Sequence, residues 1–547
     1  MNALLVLFIG NLSDEAVLPL VGNESSLSLA IRRSQCFPGV SKTVLLAGLP
    51  DMPFVPAGIH IERRDSWTVK SLLDIIAVHS EGFDLSYFAW ADCPFLDPAL
   101  AGRIAERHLR YAAEYSYADG WPYGIAPELL SPGTAAILAK ILASAGNGED
   151  GGPVGRDALF SVIQKDINAF DIETEISSVD LRCHRLSLCA DSKRNFLLLQ
   201  RFVEFTPFIP SSASLRSLRG EKGDCLEKIP DTAAVERIIA EKPAILRTLP
   251  AFYPVQVYGG CPQSCSWCPL PLASAEPVTE RRDFMEARLF ESLLDKIAAF
   301  SGDAVIDLSL WGELSLHPQK MELIGMVLSR AELSLVIETS GLGWKDSELE
   351  QCAELTRQAT AQAARMQKMP PLSWIVSLDT SDPAQYKAIR GAGFAEANAC
   401  ARKLFSLFPK DVYIQAVRTA GAEDDIERFY RSWKEEVPVA NIIIQKYNDF
   451  CGMLPHRQVS DLSPVQRQPC WHLMRDMPIL IDGTVPVCSH QIANGQANAA
   501  SGMVLGNAFS EPLDVLWERA QSLYDEQANK KYTELCAGCD EYYTYNF

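Results

Sequence analysis

The 547-residue sequence has no run of 18 uncharged apolar residues, so no transmembrane helix is expected. It also has no excess of positive charge. The formal charge is −19 and the pI is near 5.0, which excludes a general phosphate-binding surface and leaves room only for a local basic site. The apolar start, Met1 to Gly10, has no basic segment before it and reads as a first buried strand, not a signal peptide. No internal repeat is apparent. These absences lead to the expectation of a cytoplasmic protein with no membrane and no nucleic-acid partner. In a long chain without a signal sequence, fifteen cysteines read as thiols, not as a disulfide framework. The hydrophobic share, 48%, suffices for ordinary packed cores, and the length corresponds to about three or four domains.

Seven of the cysteines fall into groups with metal-ligand spacing. Eight others, Cys36, Cys93, Cys183, Cys189, Cys225, Cys352, Cys400 and Cys451, are scattered and read as reduced core residues. The densest group is Cys261-Pro-Gln-Ser-Cys265-Ser-Trp267-Cys268, which follows the alternating run Val255-Gln256-Val257. Three thiolates on one tight loop can grip one centre and leave a position open for a substrate, whereas a closed structural site normally uses four protein ligands. The spacing also differs from the ferredoxin run, which opens with two successive C-x-x-C steps. A zinc knuckle or three buried thiols are the alternatives.

This loop, with Trp267 just before the last cysteine, resembles the signature of radical S-adenosylmethionine (SAM) enzymes. The resemblance implies a [4Fe-4S] cluster on Cys261, Cys265 and Cys268. Its fourth iron would chelate SAM, and one electron would split SAM into methionine and a 5′-deoxyadenosyl radical. Downstream, short apolar strands alternate with helices: strands are expected at 254–258, 305–310, 333–338, 374–379, 412–417 and 440–445. Six such units predict a partial (βα)6 barrel of the TIM type, with its functional residues at the C-terminal ends of the strands. Residues there resemble the family's SAM contacts. Gly312 and Glu313 match a Gly-Gly-Glu motif that receives the SAM ammonium, with Trp311 in place of one glycine and Leu314 where proline is common. Ser340 follows strand three. Ser377 and Asp379 match a ribose-binding Ser-x-Asp, and Arg390 is implied near the SAM carboxylate. No catalytic acid or base is identified.

Cys470 and Cys488, then Cys536-Ala-Gly-Cys539, supply four more thiolates. This resembles the SPASM extension of radical SAM enzymes in its shortened, twitch-type form, and implies one auxiliary [4Fe-4S] cluster. A four-cysteine zinc ribbon is the alternative, although it would normally use two C-x-x-C pairs. The stretch 481–485 reads as a hairpin that puts Cys470 and Cys488 on one small sheet. Leu505 to Asn507 reads as the start of a helix. His472 and His490 read as surface residues, with a role as donors to the cluster ligands as the alternative.

The first 235 residues alternate strands (4–9, 43–47, 83–90) with helical stretches, which argues for a parallel α/β sheet. The order resembles nucleotidyltransferase or glycosyltransferase-A domains, in which an Asp placed like Asp92 binds a divalent metal. The loop Gly10-Asn-Leu-Ser-Asp-Glu lacks the family's glycine-rich basic sequence, so a degenerate domain is expected, with Asp92 as a helix cap. Residues 145–153 read as a flexible loop and 210–228 as a linker. The aromatic residues 542–547 read as a cover for the cluster or an interface.

The expected organisation is α/β throughout: a nucleotidyltransferase-like domain at 1–235, the radical SAM partial barrel at 246–450, and an iron–sulfur domain at 451–547. Together these resemble the spiro-SPASM group. The expected function is hydrogen abstraction from a peptide or protein substrate, with an electron donor such as flavodoxin or ferredoxin. Nucleotidyl or glycosyl transfer by the front domain and a non-catalytic iron–sulfur scaffold are the competing readings.

Overall fold

The structure is a computed structural model and describes residues 1–10, 12–48, 58–144, 151–206, 229–273, 277–362, 369–460, 462–490, 503–543 and the backbone of 492–493 and 496–497. The linker expected at 210–228, Cys225, most of the 145–153 loop and the aromatic residues beyond Tyr543 lie outside the described residues. The chain forms two compact units, Met1–Leu246 and Arg247–Phe547.

The first unit is built on β1 (Ala3–Gly10), a strand with nearly every side chain buried. A continuous apolar run suits a strand covered on both faces. Strands β2 (Val40–Ala47), β3 (His60–Arg63), β4 (Leu85–Trp90), β5 (Tyr115–Asp119), β6 (Glu128–Leu130) and β7 (Ile172–Ile176) complete a seven-stranded sheet in the order β3-β2-β1-β4-β6-β5-β7. The β3-β2-β1-β4 part is parallel, and β6 runs antiparallel to both neighbours. Parallel neighbours need crossover helices: α1 (Ser26–Ser34) follows β1, and α2 (Val69–His79), with a Thr68/Ser71 capping box, follows β3.

Asp92 is not the helix cap expected from the sequence. Asp97 caps α3 (Pro98–Arg110), accepting from the N–H groups of Ala99 and Leu100. Asp92 instead takes a two-pronged ion pair from Arg156, at 2.9 and 2.5 Å. Arg156 also reaches Asp191 at 2.7 Å and lies over the Trp90 ring at 3.9 Å. A planar guanidinium suits this bidentate geometry. Asp14 and Glu15 form the first turn of a short helix capped by Ser13, where acids complement the helix dipole.

The second unit contains six parallel strands in sequential order: β8 (Phe252–Pro254), β9 (Ala304–Asp307), β10 (Leu333–Thr339), β11 (Leu372–Ser377), β12 (Val412–Arg418) and β13 (Ile442–Lys446). This is the expected partial barrel. The first strand ends earlier than expected; its last bond to the β9 side is from Val255 N–H to the Asp307 carbonyl at 2.7 Å. Beyond Pro254, Gln256 N–H bonds the Ile479 carbonyl at 2.9 Å, and Ile479 N–H bonds the Pro254 carbonyl at 2.8 Å. The 475–479 segment of the tail thus pairs with the outer edge of β8, which would otherwise be open. Arg247 fixes the tail again. Fully buried, it donates to the carbonyls of Leu473 and Trp517 and lies 3.5 Å over the Trp517 ring. One apolar core runs from the barrel strands into Leu513, Leu516, Trp517 and Tyr524 of the tail.

The expected tail hairpin takes a different form. A turn at 480–483 exists, but β14 (Thr484–Pro486) pairs with β15 (Val504–Asn507). Leu505 to Asn507 is therefore strand, not the start of a helix. Cys470 lies off this sheet, at the N-terminus of the short helix Trp471–Arg475.

Candidate functional site

The cysteine loop is seated on the C-terminal end of the barrel by close backbone contact. Glu313 N–H bonds the Gly260 carbonyl at 2.9 Å, and a Cβ on Gly312 would stand 1.7 Å from the Tyr258 carbonyl oxygen. Only glycine fits there. The preceding position has the opposite problem, because Trp311 adopts φ +51°, a conformation natural to glycine. Such an outlier costs on the order of 1–3 kcal/mol. Its Nε1 donates to the Ser489 carbonyl at 3.2 Å, and its ring lies 5.6 Å from that of Phe450. The tryptophan that replaces the motif glycine therefore ties the barrel loop to the tail.

A cavity of about 400 Å³ opens above the strand ends. Cys261, Cys265, Cys268 and Trp267 line one side, together with Gly312, Glu313 and Ser340; Ser377 and Arg390 line the next strands. Tail residues complete the lining, among them His472, Arg475, Asp476, Ser489, His490 and Glu541. The lining thus brings together the loop thiols and residues that neighbour the tail thiols Cys470, Cys488 and Cys539 in sequence.

Glu313 is buried, and burial raises its pKa; hydrogen bonds from Thr339 Oγ1 (2.6 Å) and Ser340 N–H (2.8 Å) oppose this. Glu338 is likewise raised by burial and accepts from Ser377 Oγ at 2.7 Å and Gln415 Nε2 at 2.8 Å. Asp379 stands apart. It is 3% exposed, does not line this cavity, and is bound by Arg390 Nη1 at 2.5 Å and Val417 N–H at 2.9 Å. Arg390 Nε also donates to Gln263 Oε1 at 3.1 Å, within the cysteine loop. In this geometry Asp379 and Arg390 brace the loop: a buried charge needs a partner, and each supplies the other's.

The tail thiols Cys470, Cys488 and Cys536 each lie near enough to Cys539 to feel its charge. Burial pushes Cys470 up to about 12 and raises Cys488. Cys451, read from sequence as a core residue, belongs to the same group. Its thiol hydrogen-bonds Cys539, holding Cys539 down at about 7. His472 and His490 are not surface residues. His490 is buried, and burial lowers its pKa to about 3, so it stays neutral. With the Asn448 amide donating to Nε2 at 2.7 Å, the ring proton falls on Nδ1, which points at Cys488 Sγ 3.3 Å away. The His490 N–H also reaches Cys488 Sγ at 3.4 Å, and the Glu541 N–H reaches Cys539 Sγ at 3.4 Å. His472 Nδ1 pairs with Asp476 at 2.6 Å.

The donor sets fit iron–sulfur clusters better than single ions. One tetrahedral zinc with Zn–S bonds of about 2.3 Å draws its sulfurs to about 3.8 Å. Among the described residues, the groups of three metal-type ligand atoms mutually within 4.8 Å are His60/Glu62/His79 and Asp92/Cys93/Cys189. The loop and tail thiols are spread more widely, as a four-iron core requires. Two buried polar atoms on the cavity wall, Gln415 Oε1 and His472 Nε2, have no protein partner and are open to a ligand's donors.

Sequence reasoning missed Asp307. It lies at the end of β9 on the cavity wall, where burial pushes it up to about 7. Its acidic position at a strand C-terminus was the available signal. Cys93 and Cys189, read as reduced core thiols, are indeed free and buried, with their sulfurs 3.1 Å apart in the first unit.

The chain has a three-thiol loop at the C-terminal end of a six-strand parallel half-barrel, followed by a cysteine tail that holds an iron–sulfur cluster-binding domain. Residues 470–540 match the SPASM family, an iron–sulfur cluster-binding domain. The chain is 34% identical over 397 residues to an uncharacterized protein of Treponema pallidum (strain Nichols), covering 71% of this chain and 98% of that one, and it belongs to the same family as that protein. Among solved structures it is similar to Streptococcus suis SuiB bound to precursor peptide SuiA, at 15% identity and TM-score 0.40, covering 74% of this chain and 86% of that one. It is also similar to a cytidylyltransferase from Leptospira borgpetersenii, at 14% identity and TM-score 0.34, covering 45% and 97%.

Proposed function

We propose that the second unit is a radical SAM enzyme that cleaves SAM reductively and abstracts hydrogen from a peptide or protein segment. The observation that carries this reading is the single cavity running from Cys261, Cys265 and Cys268 to the residues around Cys488 and Cys539. Cys261, Cys265 and Cys268 would hold a [4Fe-4S] cluster with one open iron, and Cys470, Cys488, Cys536 and Cys539 an auxiliary one. When bound, the cluster and SAM supply a 5′-deoxyadenosyl radical on one-electron reduction.

The chain's own residues supply binding and shelter. Glu313 has lone pairs left beyond Thr339 and Ser340 to accept an ammonium group. Glu338, Ser377 and Gln415 form a polar patch for sugar hydroxyls, with Gln415 Oε1 still unpartnered. Arg390 and Asp379 hold Gln263, and through it the cysteine loop, in position. Gln445, on the last barrel strand β13, offers an amide group of the kind that pairs with a main chain. Asp307, poised near neutrality, is the candidate proton acceptor. The reductant is a low-potential one-electron carrier of the flavodoxin or ferredoxin type.

In the first unit, the pairing of Asp92 with Arg156 speaks against metal-dependent nucleotidyl transfer. A cation already neutralises the carboxylate that a metal would need, so we assign this unit a binding or scaffold role.

Anaerobic reconstitution with iron, sulfide, SAM and dithionite tests the enzyme reading. It predicts release of 5′-deoxyadenosine that is lost in Cys265→Ala. Release that persists in that variant, or none from the wild type with its iron in place, would refute it.

A further inference from the structure

The outer edge of the first unit's sheet carries metal-type side chains that the cysteine centres do not use. Among the described residues, β3 pairs only with β2, so its other edge is open. His60 and Glu62 stand two residues apart on β3 and so share one face of the sheet. His79 closes α2, and the helix end brings its ring centre 5.3 Å from that of His60. The ligand atoms of the three side chains all lie within 4.8 Å of one another.

Both rings turn the same nitrogen toward one atom. His60 Nε2 lies 2.7 Å and His79 Nε2 lies 3.3 Å from Glu62 Oε1. A tetrahedral ion with bonds of about 2.1 Å holds its ligand atoms about 3.4 Å apart, so shifts of about 1 Å turn this cluster into a coordination site. The place of the ion is now taken by protons. Lys42 Nζ stands 3.0 Å from His79 Nδ1. An ammonium group can only donate, so Nδ1 accepts and the ring proton sits on Nε2, facing Glu62. Lys42 is therefore the group an ion has to displace.

We propose that His60, Glu62 and His79 bind a divalent transition-metal ion, zinc by ligand preference, which fastens the end of α2 to the edge strand β3. Two imidazoles and a carboxylate suit zinc, nickel or copper, whereas calcium and magnesium take oxygen ligands. Water fills the fourth position. On binding, each Nε2 gives its lone pair to the ion, the ring proton moves to Nδ1, and Lys42 turns away from His79. No electron is transferred. The site belongs to the first unit and uses none of the cysteine ligands.

The test uses the full chain, anaerobically reconstituted, with Zn²⁺ and Co²⁺ as the probes. Calorimetric titration with Zn²⁺ compares wild type, His60→Ala, His79→Ala and Lys42→Gln. All four share the same cysteines, so zinc held by thiols cancels from the comparison. Each histidine variant should weaken one binding event at least about tenfold. Lys42→Gln should tighten the same event about tenfold, because an amide oxygen accepts from the Nδ1–H of a ligating histidine. A gain of this kind cannot come from a misfolded variant. Zinc should also raise the Tm of wild type more than that of His79→Ala, from equal values before zinc is added. The difference between the Co²⁺ spectra of wild type and His79→Ala should show ligand-field bands without sulfur-to-cobalt charge transfer. Zinc binding that is equal in wild type and both histidine variants overturns the proposal. So does a Lys42→Gln protein that binds zinc more weakly than wild type, or a cobalt difference spectrum made of thiolate bands.

Discussion

Gly312→Ala is the sharpest single perturbation of the site. The added methyl would lie 1.7 Å from the Tyr258 carbonyl oxygen and 2.8 Å from its carbon. Ordinary contact requires about 3.2 Å or more, so the two backbones must separate by roughly 1.5 Å. Neither side can yield by turning a side chain, because both are main chain. Overpacking normally costs about 1–3 kcal/mol, and backbone-on-backbone contact belongs at the upper end, about 3 kcal/mol. For a unit of this size that is a fall in Tm of about 6 °C. The same displacement moves the cysteine loop against Glu313, and a misplacement of about 1 Å can cost about a hundredfold in rate. The assay is thermal unfolding of the apoprotein by circular dichroism, paired with loop iron content. Gly325→Ala is the control: nothing lies within 4 Å of its added methyl, and it sits inside helix Lys320–Leu328. Alanine there should stabilise by about 0.5–1 kcal/mol. Equal Tm values for Gly312→Ala and wild type, with iron unchanged, would refute the packing argument.

Arg247→Ala removes hydrogen bonds to Leu473 and Trp517 and a cation–π contact, and should lower the Tm of the second unit by an amount equivalent to about 3 kcal/mol, with loss of tail iron; a Tm within a degree of wild type would contradict this. His490→Phe keeps the ring but removes the Nδ1 donor to Cys488, so the tail centre's midpoint potential should fall by about 40 mV in an EPR-monitored titration, taking about 1 kcal/mol for the lost bond. Asp307 has a folded pKa raised to about 7 by burial, so its contribution to stability is full below about pH 4 and is lost as pH rises toward 7. Asp307→Asn should therefore raise Tm at pH 8 relative to wild type and narrow the difference at pH 4; the effect is at most about 4 kcal/mol, less with cavity water screening the charge. Arg156→Ala strands Asp92 and Asp191 and should destabilise the first unit by about 3–5 kcal/mol, whereas a wild-type Tm that rises with Mg²⁺ and CTP would show that Asp92 binds metal instead.

Local patterns were legible in the sequence. The loop cysteines lie within eight residues, and the barrel strands are apolar runs whose order follows the chain, so both could be read directly. The 470–540 tail was recognisable because its ligand spacing is also a sequence property. What escaped depended on partners remote in the chain. Arg156 lies 64 residues from Asp92, and nothing near Asp92 hints that a guanidinium will displace it from a capping role. Cys451 looked like a scattered core thiol because only the fold brings it to Cys539. His490 looked exposed because the buried tail wall is assembled from separate segments. Asp379 and Arg390 were read as separate SAM contacts; their mutual charge compensation, 11 residues apart, is a tertiary fact. Trp311 departed from the motif's glycine, and its compensation by Ser489 and Phe450 is visible only in three dimensions.

The central claim is that one unit holds two iron–sulfur centres across a shared cavity. The most direct measurement is iron and acid-labile sulfide per chain after anaerobic reconstitution, in wild type and in two variants. The account predicts about eight irons in wild type, about four when Cys261, Cys265 and Cys268 are all Ala, and about four when Cys470, Cys488, Cys536 and Cys539, together with Cys451, are all Ala. A wild-type value of about four that either set of changes abolishes, or one zinc in place of the iron, would contradict it.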